Sequence, residues 1–347
     1  MKQISFSELA IITMGQSPKG ESCNFDGIGE PLLNGPTEFK EYYPKAVQFT
    51  TEGKKYSKKG DILFCVRGST TGRMNLSDKE YVLGRGLASI SHKKNSKLNI
   101  FLKYLIQHNL NDILKNTSGS TFPNLSRENL DSFKFNLPKD LNINSINNFL
   151  SLLDSKIELN NKINKELESM AKTLYDYWFV QFDFPNENGK PYKSSGGKMV
   201  YNQELKREIP QGWEVKTVSQ LIGNNKGGDW GKEQEEGNYT QKVSCIRGAD
   251  LNGLNGLGEL NPPERFILDK NSNKILESHD LIVEISGGSP TQSTGRLSFV
   301  IDETITRFEN PLICSNFCKS FSLKNSKHFY YFIYMWNNLY DNSVLFG

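Results

Sequence analysis

Short apolar runs broken by Gly, Ser and Asn dominate the first 139 residues. Ile62–Val66 and Leu87–Ile90 are runs of strand length bounded by turn residues, and they predict buried strands. Between Asn99 and Leu114 the period changes. Phe101, Leu102, Leu105, Ile106, Leu110, Ile113 and Leu114 fall at helical spacing, so this first module mixes helix and strand. From Leu141 to Gln181 there is neither Pro nor Gly. A heptad places Ile146, Leu153, Asn160, Leu167 and Leu174 at one seam position and Leu150, Ile157, Asn164, Ala171 and Trp178 at the other. A helix of about 40 residues spans roughly 60 Å. Its apolar stripe (Ile146, Leu150, Leu153, Ile157, Leu167, Leu174) calls for a partner helix. Asn160 and Asn164 either fix register in such a pair or lie on a face where the stripe drifts. The polar, Gly/Ser/Lys-rich stretch 183–208 reads as a linker or exposed loop.

The pattern then repeats. Residues 60–73 read GDILFCVRGSTTGR and residues 279–296 read HDLIVEISGGSPTQSTGR: a strand opening, then a Gly/Ser/Thr loop ending in Thr-Gly-Arg. Leu32–Gly35 (LLNG) has a counterpart in Cys245–Gly248 (CIRG), and Asn109–Asp112 (NLND) in Asn338–Asp341 (NLYD). Ile209–Ile222 parallels the start of the chain, so each module is expected to open with an edge strand and a turn of helix. The boundaries are then 1–139, a long helix over 140–182, a linker over 183–208, and a second module over 209–347. After NLND the first module continues through Asn116–Pro138, whereas after NLYD only NSVLFG follows. The expectation is therefore a second module lacking its closing segment and a second long helix. Two similar modules on one spacer suit a target presenting two similar surfaces at a fixed separation, such as duplex DNA with a split site.

Composition narrows this little. A net charge of +3 permits DNA contact without requiring it. Cys23, Cys65, Cys245, Cys314 and Cys318 form no paired framework and read as reduced thiols. No stretch approaches 18 apolar residues, so neither a secretory leader nor a membrane span is expected, and the setting is cytoplasmic.

No coherent catalytic set emerges. Asn261-Pro262-Pro263-Glu264 resembles the N-P-P-aromatic motif of amino-methyltransferases, but Glu264 stands where the base-stacking ring is needed. The three E-x-K stretches at Glu38, Glu204 and Glu214 lack a Pro-Asp half, and there is no phosphate-binding G-x-x-x-x-G-K-[ST] loop. The loops carry the better chemistry. Arg67 to Arg73 offers small hydroxyls, approachable backbone and two guanidiniums that can pair bidentately with phosphate or guanine. Ser286 to Arg296 repeats this and adds Gln292, suited to adenine. Ser118–Ser126 has similar composition. A single such loop reads as a β-turn with surface arginines; its recurrence favours binding.

The order of these parts resembles the specificity subunit of type I restriction–modification systems. The resemblance rests on Ile209–Trp213 (IPQGW), Leu174–Pro185 (LYDYWFVQFDFP) and NTSGSTFPNLS before the long helix. It implies an α+β protein with two mixed α/β target-recognition domains separated by a long coiled-coil-type helix. It further implies a non-catalytic reader of a bipartite sequence in double-stranded DNA. Modification subunits would dock on the helix, and restriction subunits would join them. S-adenosylmethionine, ATP and Mg would reside in those partners, with no cofactor or metal in this chain. Carried onto this sequence, the DNA contacts are Arg67, Ser69, Thr71, Arg73, Ser120 and Thr121, then Arg247, Ser289, Gln292, Ser293 and Arg296. The family ends with a second long helix, so this chain is expected to be truncated and able to pair with a second copy through its own helix. The alternative is a decoy that binds modification subunits without reading DNA.

Overall fold

A computed structural model describes residues 1–115, 124–258, 260–287 and 293–342. The chain divides into two units, Met1–Glu166 and Leu167–Gly347. The division falls inside one 33-residue helix, Ile143–Tyr175. Helices and sheets occur in both units, so the class is α+β.

In the first unit Ile62–Cys65 is buried throughout and serves two cores at once. Alternate side chains of a strand point to opposite faces. Ile62 and Phe64 therefore join Phe6, Ile12, Ile90, Leu102 and Ile106 on one face, while Leu63 and Cys65 join Leu33, Leu83 and Leu87 on the other. Across its sheet the order is Ala10–Met14, Leu87–His92, Ile62–Cys65, Met74–Leu76, all antiparallel. A second sheet pairs Glu30–Leu33 parallel to Tyr81–Leu83.

The second unit builds the same order from Ile222–Gly227, Cys318–Leu323, Leu281–Glu284 and Leu297–Phe299. It repeats the parallel pairing with Tyr239–Ile246 and Leu312–Cys314. The repeat legible in the sequence is thus a repeat of hydrogen-bond topology. Even the opening aspartates correspond. Asp61 accepts from Lys58 N (2.8 Å) and Ser89 Oγ (2.6 Å). Asp280 accepts from Glu277 N (2.8 Å) and from the buried Lys226 Nζ (2.8 Å). In this frame Cys314 and Cys318 stand where the first unit has Leu83 and Leu87. They act as small core residues, with burial pushing Cys314 up to about 12 and Cys318 up to about 11.

Three expectations are corrected. The helix predicted over Asn99–Leu114 breaks at Asn109 into Asn99–His108 and Leu110–Leu114, whereas Asn338–Asp341 lies in an unbroken helix, Phe329–Asp341. The polar stretch read as a linker is folded: Met199–Asn202 and Arg207–Pro210 form a hairpin, and Asp183 accepts from Ser194 N (2.7 Å) and Oγ (2.6 Å). Its polarity reflects exposure rather than disorder. The edge strand expected ahead of helix Val218–Leu221 is also missing. In the first unit Lys2–Ser5 pairs with Lys134–Leu137, and Phe135 packs edge-on against Phe6 at 5.1 Å. At the equivalent place in the second unit, residues 213–217 join no strand.

His92 gives the first unit a titratable weak point. It is buried, its Nδ1 accepts from Lys94 N (3.3 Å) and Asn95 N (3.4 Å), and its Nε2 has no partner. Burial first, then the Lys94 charge, hold its pKa below the usual 6.5. A depressed folded-state value means the unfolded chain binds the proton first. The stability due to neutral His92 is therefore present above about pH 6.5 and lost as pH falls through the folded value. Urea midpoints at pH 7.5 and pH 5 are expected to differ more for the wild type than for His92→Gln. Equal pH slopes would refute the assignment.

Candidate nucleic-acid interface

At the end of strand Ile62–Cys65 the chain enters the Arg67–Arg73 loop. Gly68 and Gly72 adopt φ of 86° and 95°, the left-handed region where glycine costs least. The loop closes on the strand through Gly72 N to Cys65 O (2.8 Å) and Cys65 N to Arg73 O (2.9 Å). Thr71 Oγ1 donates to Gly68 O (2.7 Å), so this hydroxyl helps hold the turn. Arg67, Ser69 and Arg73 are exposed, and neither arginine forms an ion pair among the described residues.

The neighbouring turn, Gly84-Arg85-Gly86, lies against the loop through Val66 N to Gly86 O (2.9 Å). Arg85 is exposed there, and its N–H donates to Ser17 Oγ (3.2 Å). It is a third guanidinium at this sheet end, and the sequence reading missed it. The available signal was a Gly-Arg-Gly turn between two apolar strands, which the repeat hides because its counterpart carries no arginine.

The second loop closes in the same frame, with Gly295 N to Glu284 O (2.8 Å) and Glu284 N to Arg296 O (3.0 Å). Arg296 is therefore the structural counterpart of Arg73, yet it does different work. Glu284 replaces Cys65, and the Arg296 guanidinium bonds it twice, at 2.9 Å and 3.0 Å. A further bond reaches Gly248 O (2.9 Å). The two side chains are only 14% and 4% exposed. Arg247 is likewise engaged: it forks onto Asp250 at 2.8 Å and 3.0 Å and reaches Asn261 O at 2.9 Å. Burial alone would raise the Asp250 pKa, but the Arg247 bonds more than reverse this and hold it below the usual range. Both guanidiniums thus have internal carboxylate and carbonyl partners: Arg296 is nearly buried, whereas the Arg247 side chain remains 40% exposed.

Ser293 is exposed, and its carbonyl accepts from Tyr340 OH (2.7 Å); Trp336 Nε1 donates to Gly295 O (2.8 Å). Helix Phe329–Asp341 thus anchors the returning limb of the loop. Ser120, Thr121, Ser289 and Gln292 lie outside the described residues.

Asn142 caps the start of the long helix, its Oδ1 accepting from Ser145 N (3.1 Å). It meets the first unit through polar residues at heptad spacing. Asn147 accepts from Phe101 N (3.0 Å), Asp154 accepts from Tyr104 OH and Lys103 Nζ, and Asn161 donates to Tyr42 OH and Glu41. The Asp154 bond, with burial, pushes Tyr104 up to about 12. The apolar face is left outward. Ile146 and Leu150 are half-buried, whereas Leu153, Ile157, Leu167 and Leu174 are exposed. Phe149, Leu152, Leu159, Ile163 and Met170 are exposed with them. Asn160 and Asn164 are exposed too. Among the described residues no group of three or more His, Cys, Asp or Glu could hold a metal ion, and no helix is long and apolar enough to cross a membrane.

Residues 4–169 match the family described as type I restriction modification DNA specificity domain. The MjaIX specificity subunit of Methanocaldococcus jannaschii is 32% identical over 171 residues, 49% of this chain and 37% of that protein. The HindI specificity subunit of Haemophilus influenzae is 34% identical over 140 residues, 38% of this chain and 30% of that one. The matched stretches thus span well under half of either relative. Among solved structures, the S subunit of a type I restriction–modification system from M. genitalium shares the fold with a TM-score of 0.53 at 15% identity, over 98% of this chain and 77% of that one.

Proposed function

We propose that this chain is the sequence-reading component of a type I restriction–modification complex, since residues 4–169 match the family model described as type I restriction modification DNA specificity domain. It acts by binding alone, in the cytoplasm. Each unit reads one half of a bipartite duplex site, and catalysis, with its S-adenosylmethionine, ATP and Mg, belongs to modification and restriction subunits. The observation that carries the reading is the twice-built sheet end. One backbone frame recurs in both units and presents a Gly/Ser/Thr loop each time. Around it the first unit displays Arg67, Ser69, Arg73 and Arg85, with Ser120 and Thr121 further along the same chain.

The outward apolar stripe of the long helix is the docking face for the modification subunit. A second copy of the chain is the other occupant that the same face accepts, since two such stripes can pair as a coiled coil.

The test is co-purification with the cognate modification subunit, followed by selection from a random duplex library. A split motif with a fixed gap is expected. Affinity should fall with salt at a slope of about −0.9 per phosphate contact. A symmetric motif would indicate paired copies using one unit each. Partner binding with no enriched sequence would overturn the reading in favour of a decoy.

A further inference from the structure

Each unit ends its four-stranded sheet in the same two adjoining turns, and the residues shown there differ in kind. In the first unit Val66–Arg67 adjoins Gly84–Gly86. In the second, Ile285–Ser286 adjoins Ser315–Phe317 through Ile285 N to Phe317 O (2.9 Å) and Ser286 N to Phe317 O (3.3 Å). Leu87 pairs with Cys65 as Cys318 pairs with Glu284, so Asn316 replaces Arg85 and Phe317 replaces Gly86. Where the first unit exposes three guanidiniums, the second exposes Phe317 (57%) and Ile285 (46%), and its equivalent arginine is bound to Glu284.

An exposed ring on a turn tied by two main-chain bonds, beside a second exposed apolar residue, does not suit a phosphate. It suits the one apolar group that the four bases present in the major groove, the thymine 5-methyl. We infer that Phe317, flanked by Ile285, reads a thymine methyl in the second half-site, while the first unit reads its half with Arg67, Arg73 and Arg85. The inference rests on the DNA-reading function proposed above and adds that the two halves are recognised by different chemistry.

The test uses the full chain with its modification subunit and the motif that selection returns. At one thymine of one half-site, replacing dT by dU removes only the methyl. Wild-type affinity is expected to fall about four-fold, the equivalent of about 0.8 kcal/mol for one buried methyl. F317A should bind dT and dU equally while keeping the wild-type salt slope. R85A should keep the dT preference and flatten the slope by about 0.9. If the wild type enriches a split motif but distinguishes dT from dU nowhere, or if F317A still distinguishes them, the Phe317 assignment is overturned and the DNA-reading function stands. If the wild type enriches nothing, both fall.

Discussion

Replacing Glu284 by alanine is expected to destabilise the second unit by about 3–5 kcal/mol, a large share of a domain's usual stability of about 5–15 kcal/mol. The loss exceeds that of an ordinary surface ion pair, because the change removes the carboxylate that meets the Arg296 guanidinium twice in a site where it is 14% exposed. Removing both charges together should recover most of the loss, since a buried pair replaced by apolar groups of similar volume is often neutral. E284M/R296L is the variant to compare. The first unit already embodies such a solution, with Cys65 at the position of Glu284 and Arg73 turned to solvent. Urea unfolding read by intrinsic fluorescence would report the change. E284A within 1 kcal/mol of the wild type would show that Arg296 is not held as described.

The second large effect concerns the outward stripe of the long helix. I157E/L167E is expected to leave folding almost unchanged, within about 0.5 kcal/mol per site, because both side chains are exposed in this chain. Partner capture should collapse. If each residue is an interface anchor of about 2 kcal/mol, the pair weakens docking about a thousandfold. Co-purification with the modification subunit, and sedimentation of the chain alone at micromolar concentration, measure the two occupants separately. Undiminished partner capture by the variant would move the docking face elsewhere. Asn147, Asp154 and Asn161 are the control positions, since changing them should loosen the helix from the first unit.

The parts written in local periodicity were legible from the residues alone. The D-[IL]-[IL] strands, the Thr-Gly-Arg loops and the Pro- and Gly-free helix all specify themselves over a few turns or strand repeats, and the structure returns them. What depended on side chains meeting across the fold was not legible. Arg296 matched Arg73 as text. Only the structure places Glu284, twelve residues earlier on a neighbouring strand, against its guanidinium. Arg247 differs: its partner Asp250 lies only three residues on, a local signal that its reading as a loop arginine passes over. The stretch 183–208 lacked apolar runs because its hairpin is mostly exposed, so composition mimicked a linker. The helix was read correctly as carrying an unsatisfied stripe. The sequence did not reveal that its own unit holds it by a polar row seven residues apart.

The turns at the sheet ends are tied by main-chain bonds, which are indifferent to what the side chains display. Such a frame can be recoded, but unequally in the two halves. A Cβ at Gly86 would stand 2.6 Å from the Asn34 carbonyl oxygen, so the first unit cannot gain an aromatic there without displacing the Asn34 backbone. The second unit can shed the Phe317 ring and keep every bond of its turn. At this position the side chain that one unit can display is fixed by backbone crowding, and that of the other is open to drift.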